Sequence, residues 1–229
     1  MNEDLLDNAP WHALTGPQAH LALGEGPVLR FRSEFAPFAA METLSSANTV
    51  AMAALLPEEA VAVLFTTTAV DVPQGLDLVL AGDLSQMVAT ELHPANDTTE
   101  IVRLSPGDVP AMRELVALTE PGPFAARTNE LGDYFGIFDG GLLVAMAGER
   151  LRPAGATEVS AVCTHPDYRG RGYAKALVSR VASGIAARGE LPFLHVYPHN
   201  EAAIATYKRL GFAERRRINL TVVKKPKAA

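Results

Sequence analysis

The run from Val159 to Lys175 constrains this chain more than any other. The apolar, β-branched segment Val159-Ser-Ala-Val-Cys-Thr164 leads through His165 and Pro166 into Arg169-Gly170-Arg171-Gly172, and a helical pattern begins at once. Ala174, Leu177, Val178, Val181 and Ile185 recur at spacings of three and four, which places them on one helical face. Strand, glycine turn and helix in that order aim free backbone N–H groups at an anion. The first N–H groups of a helix lack internal partners, and the macrodipole places partial positive charge there. Gly170 and Gly172 allow close approach to the backbone, while Arg169, Arg171 and Lys175 add formal charge. By itself the stretch reads equally as a phosphate cradle or as an ordinary strand-to-helix turn.

Two common phosphate loops are excluded. A Walker loop requires Gly, four residues and then Gly-Lys-Ser/Thr, which occurs nowhere. A dinucleotide fingerprint requires a small residue where Lys175 stands. Charge is unevenly spread. Residues 1–98 hold thirteen acids against Arg30 and Arg32, a net of −11, while the remainder holds thirteen acids against eighteen basic residues, a net of +5. The basic half suits an anionic cofactor, and the acidic half speaks against nucleic acid as the main partner. The shift, together with the turn formers His93-Pro-Ala-Asn-Asp-Thr-Thr99, predicts a boundary between an acidic domain over 1–97 and a second domain over 98–223, followed by a loose basic tail over 224–229.

Cys163 is the single cysteine, so neither an internal disulfide nor a cysteine metal cluster can form, and no metal is expected. No apolar run has transmembrane length, and Glu3, Asp4 and Asp7 are unlike a secretory leader. A cytoplasmic protein without membrane contact is the expectation.

In the first half, patterning predicts strands over 28–35, 38–41, 60–66 and 76–80. It predicts helices over 48–56, capped by Ser45 or Ser46, and over 86–92. The second half reads as a strand over 100–104, a helix from Ser105 to Thr119, a helical piece over 124–134 and a hairpin turning at Asp139-Gly-Gly141. A strand over 157–164, a helix over 172–187 and a strand over 192–197 follow. Asn200 caps a helix over 201–209, Gly211 closes it, and a last strand runs over 212–223.

This order, with Arg169-x-x-Gly172-x-Ala174 and Asn200-Glu-Ala-Ala-Ile-Ala-Thr-Tyr-Lys-Arg-Leu-Gly-Phe212, resembles the GNAT N-acetyltransferase superfamily. The first motif matches that superfamily's Arg/Gln-x-x-Gly-x-Gly/Ala signature. The second matches its Asn-x-x-Ala-x-x-x-Tyr-x-x-x-Gly-Phe pattern at every fixed position. The chain also has some likeness to glycine N-acyltransferase-like members, which carry an N-terminal extra region. The resemblance implies an α/β fold of the α+β kind, with a mixed, mostly antiparallel sheet flanked by helices. The smaller α/β domain in front of it would be a degenerate GNAT-like half. It implies acetyl-CoA as co-substrate, an amine of a small molecule, amino acid or peptide as acceptor, and a superfamily tendency to homodimers. A non-catalytic acyl-CoA sensor is the alternative.

The resemblance also assigns roles. Arg169, Gly170, Arg171, Gly172, Tyr173, Ala174 and Lys175 would hold the pyrophosphate, and the backbone of Val162, Cys163 and Thr164 would pair with the pantetheine amides. Asn200 would cap its helix and touch the pantetheine arm. Tyr207 would face the sulfur as general acid, its phenol of pKa about 10 being protonated at neutral pH. Glu158 stands where some members keep a general base, with His195 and His199 as runners-up. Strand alternation puts Glu158, Ser160 and Val162 on one face and Val159, Ala161 and Cys163 on the other. For the acceptor, Glu130, Asp133 and Tyr134 could orient a cation, and Arg127 and Arg215–Arg217 a carboxylate.

Overall fold

A computed structural model describes residues 3–93, 95 and 100–227. After a 3₁₀ turn over Glu3–Asn8 come α1 (Ala9–Leu14), β1 (Ala22–Leu23), β2 (Val28–Phe31), β3 (Ala39–Met41), α2 (Ser46–Leu55), β4 (Val61–Thr66) and β5 (Asp77–Ala89). The rest of the chain supplies β6 (Val102–Arg103), α3 (Val109–Thr119), β7 (Tyr134–Asp139), β8 (Leu142–Glu149), β9 (Ala156–Thr164), α4 (Tyr173–Ala187), β10 (Leu191–Val196), α5 (Glu201–Arg209) and β11 (Phe212–Lys224). Eight strands form one mixed sheet in the order β4-β11-β5-β10-β9-β8-β7-β6. Strands β1, β2 and β3 form a smaller antiparallel sheet, joined to β4 through a parallel bridge between Phe38 and Val63. The mixed α/β sheet expected from the sequence is therefore present, and it is larger than expected.

Its middle is built from both halves of the sequence. Strand β5 pairs antiparallel with β10 from Phe193↔Val88 to Val196↔Ser85, and with β11 from Phe212↔Ala89 to Lys224↔Asp77. Strand β11 then pairs with β4. The unit β3-α2-β4 repeats the order of β9-α4-β10, strand, helix and parallel strand, and each half's closing strand lies against the other half. The two halves expected on either side of residue 97 thus share one sheet; the turn residues 94 and 96–99 lie outside the described residues. The charge shift has a local explanation, because acids of one half meet bases of the other: Asp7 pairs with Arg215 and Arg216, and Glu59 with Lys224.

Three further expectations are corrected. Residues 86–89, read as helix, belong to β5, because Gln86 lies in the sheet and is fully buried. The helical piece over 124–134 shrinks to a 3₁₀ turn at Thr128–Leu131. The described part of the basic tail is not loose. Lys224 belongs to β11, and the Lys225 ammonium donates to Ala53 and Leu56 carbonyls at 3.0 and 2.8 Å, where the end of α2 gathers partial negative charge.

Helix α4 is the element that sets the site. Leu177, Val178, Val181, Ala182 and Ile185 are buried against β7, β8 and β10 residues such as Ile137, Val144 and Leu194. Each large side chain buried so fully contributes roughly 1.5–3 kcal/mol. The opposite sheet face is covered by α1, the small sheet and α3. Among the described residues no helix is long and apolar enough to cross a membrane.

Candidate acyl-CoA site

Strands β9 and β10 run parallel for three rungs, ending at Phe193↔Glu158. Beyond that rung no strand among the described residues pairs with the β10-facing edge of Val159–Thr164, which leaves a row of backbone amides and carbonyls open. On its other edge β9 carries a bulge. Ala161 and Val162 together oppose Ala147, and Ala161 takes φ +51°, a left-handed conformation that costs a non-glycine residue energy. The bulge overturns the expected alternation. Val162 turns to the α4 side with Val159, whereas Ala161 and Cys163 pack on the α3 side. Cys163 consequently shares a face with Glu158. Burial pushes its thiol up to about 11, so it is an inert apolar filler rather than a nucleophile. The Thr164 hydroxyl, at the mouth of the gap, is buried without a hydrogen-bond partner among the described residues.

The loop after β9 closes the same end of the cleft. Arg169, Gly170, Arg171, Gly172 and Lys175 are exposed, and Tyr173 and Ala174 half-buried. Gly172, the N-cap of α4, sits at φ +83° and Gly170 at φ +78°, conformations that favour glycine. Among the described residues no side chain caps α4, so the first amides of this fifteen-residue helix are open to an anion. Arg171 lies 4.5 Å over the Tyr168 ring, which orients its guanidinium beside the loop.

Asn200 caps α5 by accepting from the Ala203 amide at 3.2 Å, as its motif predicts. Tyr207 packs in the same cluster as Val162, Tyr168 and Tyr173, with its ring 6.1 Å from Phe212. Burial alone pushes its phenol up to about 12. Loop, open strand edge and tyrosine are thus brought to one place.

Glu158 is not. The carboxylate is fully buried and binds Arg150 through both oxygens, each at 2.8 Å, with His195 Nδ1 2.7 Å from Oε1. Burial alone would raise its pKa, but the Arg150 guanidinium and the His195 hydrogen bond outweigh burial and hold it at about 2. A carboxylate so engaged is no free proton acceptor, which corrects the expected base role. Its partner was missed in the sequence, although a signal existed. Arg150 lies eight residues upstream across the loop at Pro153–Gly155, and the backbone pairs Arg150 with Glu158 directly. His199 stacks on Tyr197 at the surface.

The charged residues expected to orient an acceptor are occupied: Arg127 is bidentate with Glu130, Asp133 pairs with Arg103, and Arg217 binds Glu214 at 2.8 Å. The Tyr134 hydroxyl is buried without a hydrogen-bond partner among the described residues. A cavity of about 200 Å³ lies elsewhere, between the ends of β3 and β4. It stands where the repeat β3-α2-β4 would have its own cofactor cleft. Beside it are Glu42 and Leu44 instead of glycines and arginines, and Ser45 already caps α2 by accepting from Asn48. It lacks the features of a phosphate site. Among the described residues no group of histidine, cysteine or carboxylate side chains could hold a metal.

A sheet that parts beside an uncapped, glycine-led helix start can receive an extended ligand that ends in an anion. Comparison with known proteins agrees. The profile of FR47-like proteins matches residues 134–220. A GNAT-family protein from Novosphingobium aromaticivorans has a crystal structure that superposes with a TM-score of 0.91 at 40% identity, covering 97% of this chain and 99% of that one. The chain belongs to the GNAT acetyltransferase family. N-alpha-acetyltransferase RimI of Mycobacterium tuberculosis is 37% identical over 100 residues, which are 41% of this chain and 62% of that protein. An acetyltransferase of Yersinia pestis is 46% identical over 50 residues, which are 21% of this chain and 35% of that protein. The chain therefore spans less than two thirds of these curated relatives. A GCN5-related N-acetyltransferase from Kribbella flavida, 18% identical with a TM-score of 0.62, shares the fold.

Proposed function

We propose that this chain transfers the acetyl group of acetyl-CoA directly to a primary amine, that of a small molecule or of a peptide N-terminus. The observation that carries the reading is the open edge of Val159–Thr164 beyond the Glu158–Phe193 rung, lying next to the free amides of α4. Val162, Cys163 and Thr164 would pair through their backbone with the pantetheine amides, as an added strand does. Arg169, Arg171, Lys175 and the amides from Gly170 to Ala174 would hold the pyrophosphate, and Asn200 would stand beside the pantetheine arm.

In the transfer the amine nitrogen attacks the thioester carbonyl, the C–S bond breaks, and the thiolate takes a proton. Tyr207 would give it, its phenol remaining protonated well above neutral pH. With Glu158 held in its ion pair, the amine reaches the site as the free base or loses its proton to water. Likeness to RimI supports a peptide α-amine.

Thiol release from acetyl-CoA, measured with a panel of small amines and free-N-terminal peptides, tests the reading. Turnover with any of them is expected. Tight CoA binding without turnover across the panel would favour a non-catalytic sensor instead.

A further inference from the structure

We propose that His195 is a positioning residue for acyl transfer, an imidazole that ties β10 to β9 where the two strands part and so sets the stance of Tyr207 at the cleft. The proposal rests on the acetyltransferase reading above.

A chain of polar side chains crosses the sheet beneath the cleft. It starts at Arg150, which holds Glu158 of β9, and Glu158 in turn meets His195 of β10 at 2.7 Å. His195 Nε2 lies 3.0 Å from Gln86 Nε2 of β5, and Gln86 Oε1 accepts from Arg215 Nη1 of β11 at 2.9 Å. Arg215 also binds Asp7 at 2.6 Å, which closes the chain on the N-terminal 3₁₀ turn. His195 and Glu158 side chains are 3% and 1% exposed.

The hydrogens in this chain are forced. Arg215 only donates, so the Gln86 oxygen must face it and the Gln86 nitrogen must face the other way. That nitrogen has two hydrogens, and they go to the Leu6 carbonyl at 2.8 Å and to His195 Nε2. Nε2 therefore accepts, and the ring hydrogen sits on Nδ1, where it donates to Glu158. The imidazole has no lone pair left for a substrate proton. Phe65 and Phe193 flank it with ring centroids 4.6 and 5.7 Å away.

Its position gives it another task. His195 lies two residues past Phe193, the last residue of β10 that pairs with β9. From there to its end β10 keeps only β5 as a strand neighbour, and it leads within a few residues to Asn200 and α5, which carries Tyr207. The bond from His195 to Glu158 thus fixes how far the strands separate before the acid is delivered.

The test uses the full chain and an amine that the parent acetylates. His195→Ala is expected to lower kcat roughly 10- to 100-fold, the effect of displacing a reacting group by about 1 Å. CoA affinity by calorimetry should change less than about threefold, because the pyrophosphate loop leads into α4 and not into β10, and the pH profile of kcat/KM should keep its shape. His195→Asn retains an N–H near the Nδ1 position and is expected to recover most of kcat, while His195→Gln, whose amide lies at the Nε2 end, should not. An unchanged kcat in a folded His195→Ala protein would overturn the proposal, as would loss of the acidic limb of the pH profile, which would make His195 the base. If the alanine variant does not fold, equal kcat values for the Asn and Gln variants would overturn it. A parent protein that acetylates no amine would overturn the acetyltransferase reading itself, and this proposal with it.

Discussion

Glu158 and Phe193 form the last rung between β9 and β10, and the Glu158 carboxylate then reaches back to Arg150 rather than forward into the gap that opens beyond it. The most chemically suggestive carboxylate of the motif strand is therefore a structural one. Removing it leaves a buried guanidinium unpaired, so Glu158→Ala is expected to cost about 3–5 kcal/mol in urea unfolding. The same pair makes stability pH-dependent. Its folded pKa of about 2 lies below the ordinary 4.5, so its contribution is complete above pH 4.5 and is lost as pH falls towards 2. Unfolding midpoints measured from pH 6 to pH 2.5 should fall through that window in the parent, and the fall should be smaller in the variant.

Tyr207 is the opposite case, a buried phenol whose pKa burial raises. Tyr207→Phe should lower kcat by about 100-fold or more, the usual scale for a general acid. Stability should stay within about 1 kcal/mol, because the phenyl ring keeps its packing against Phe212 and burial is the only cause acting on the phenol. Because burial pushes the phenol to about 12, the parent should show no alkaline loss of kcat from this group below about pH 10. Steady-state rates from pH 6 to 10, beside calorimetric CoA binding, check both points.

The two catalytic assignments also show what a sequence can carry. The Arg169–Ala174 loop and the Asn200–Phe212 motif are legible because their physics is local: glycine conformation, an N-cap, helix periodicity within some twenty residues. Glu158 misleads because its partners come from elsewhere, one across a loop and one from a parallel strand thirty-seven residues on. The bulge at Ala161 has no sequence mark, since an alanine there gives no hint of a positive φ, and a single inserted residue moves Cys163 to the other face. Strand β5 is half legible. Its exposed apolar end, Leu78–Leu80, reads as strand, whereas Gln86 reads as helix until Leu6, His195 and Arg215 surround it.

At the loop, Gly172→Ala is expected to destabilise the protein by about 1 kcal/mol, because φ +83° is strained for any residue with a Cβ. Arg169→Ala and Arg171→Ala should each weaken CoA binding about 5- to 20-fold at low ionic strength, with the difference from the parent shrinking as salt screens the exposed charges. Calorimetric titrations at 50 and 500 mM salt would measure it. Equal losses at both concentrations would mean that these arginines do not contact the cofactor through charge.

Cys163 stands beside the proposed pantetheine path and is chemically quiet. With its thiol near 11, about one molecule in a thousand carries a thiolate at pH 8. Native protein should resist iodoacetamide at pH 8 over hours, and Cys163→Ala should retain turnover within about threefold. Rapid labelling that abolishes turnover would restore a covalent mechanism.

The sheet topology makes the last prediction, on whether residues 98–229 form a separable catalytic domain. That fragment keeps every residue of the proposed cofactor site but loses β4 and β5. Without β5 and β4, the outer edge of β10 loses its partners at Ser85–Val88, and β11 loses β5 from Phe212 to Lys224 and β4 from Asn219 to Lys224. Gln86 and Asp7 leave with the same cut, so His195 Nε2 and the Arg215 guanidinium become buried groups without partners. Open edges of this kind favour aggregation, and each unmade buried hydrogen bond costs about 1–3 kcal/mol. The fragment is expected to be insoluble or to lack a cooperative thermal transition, while the full chain unfolds in one. Co-expression with residues 1–97 as a separate chain should restore soluble protein that binds CoA, because the β5-β11 pairing needs no covalent link. A fragment that folds and binds CoA alone would show that the catalytic half does not need the strand it borrows.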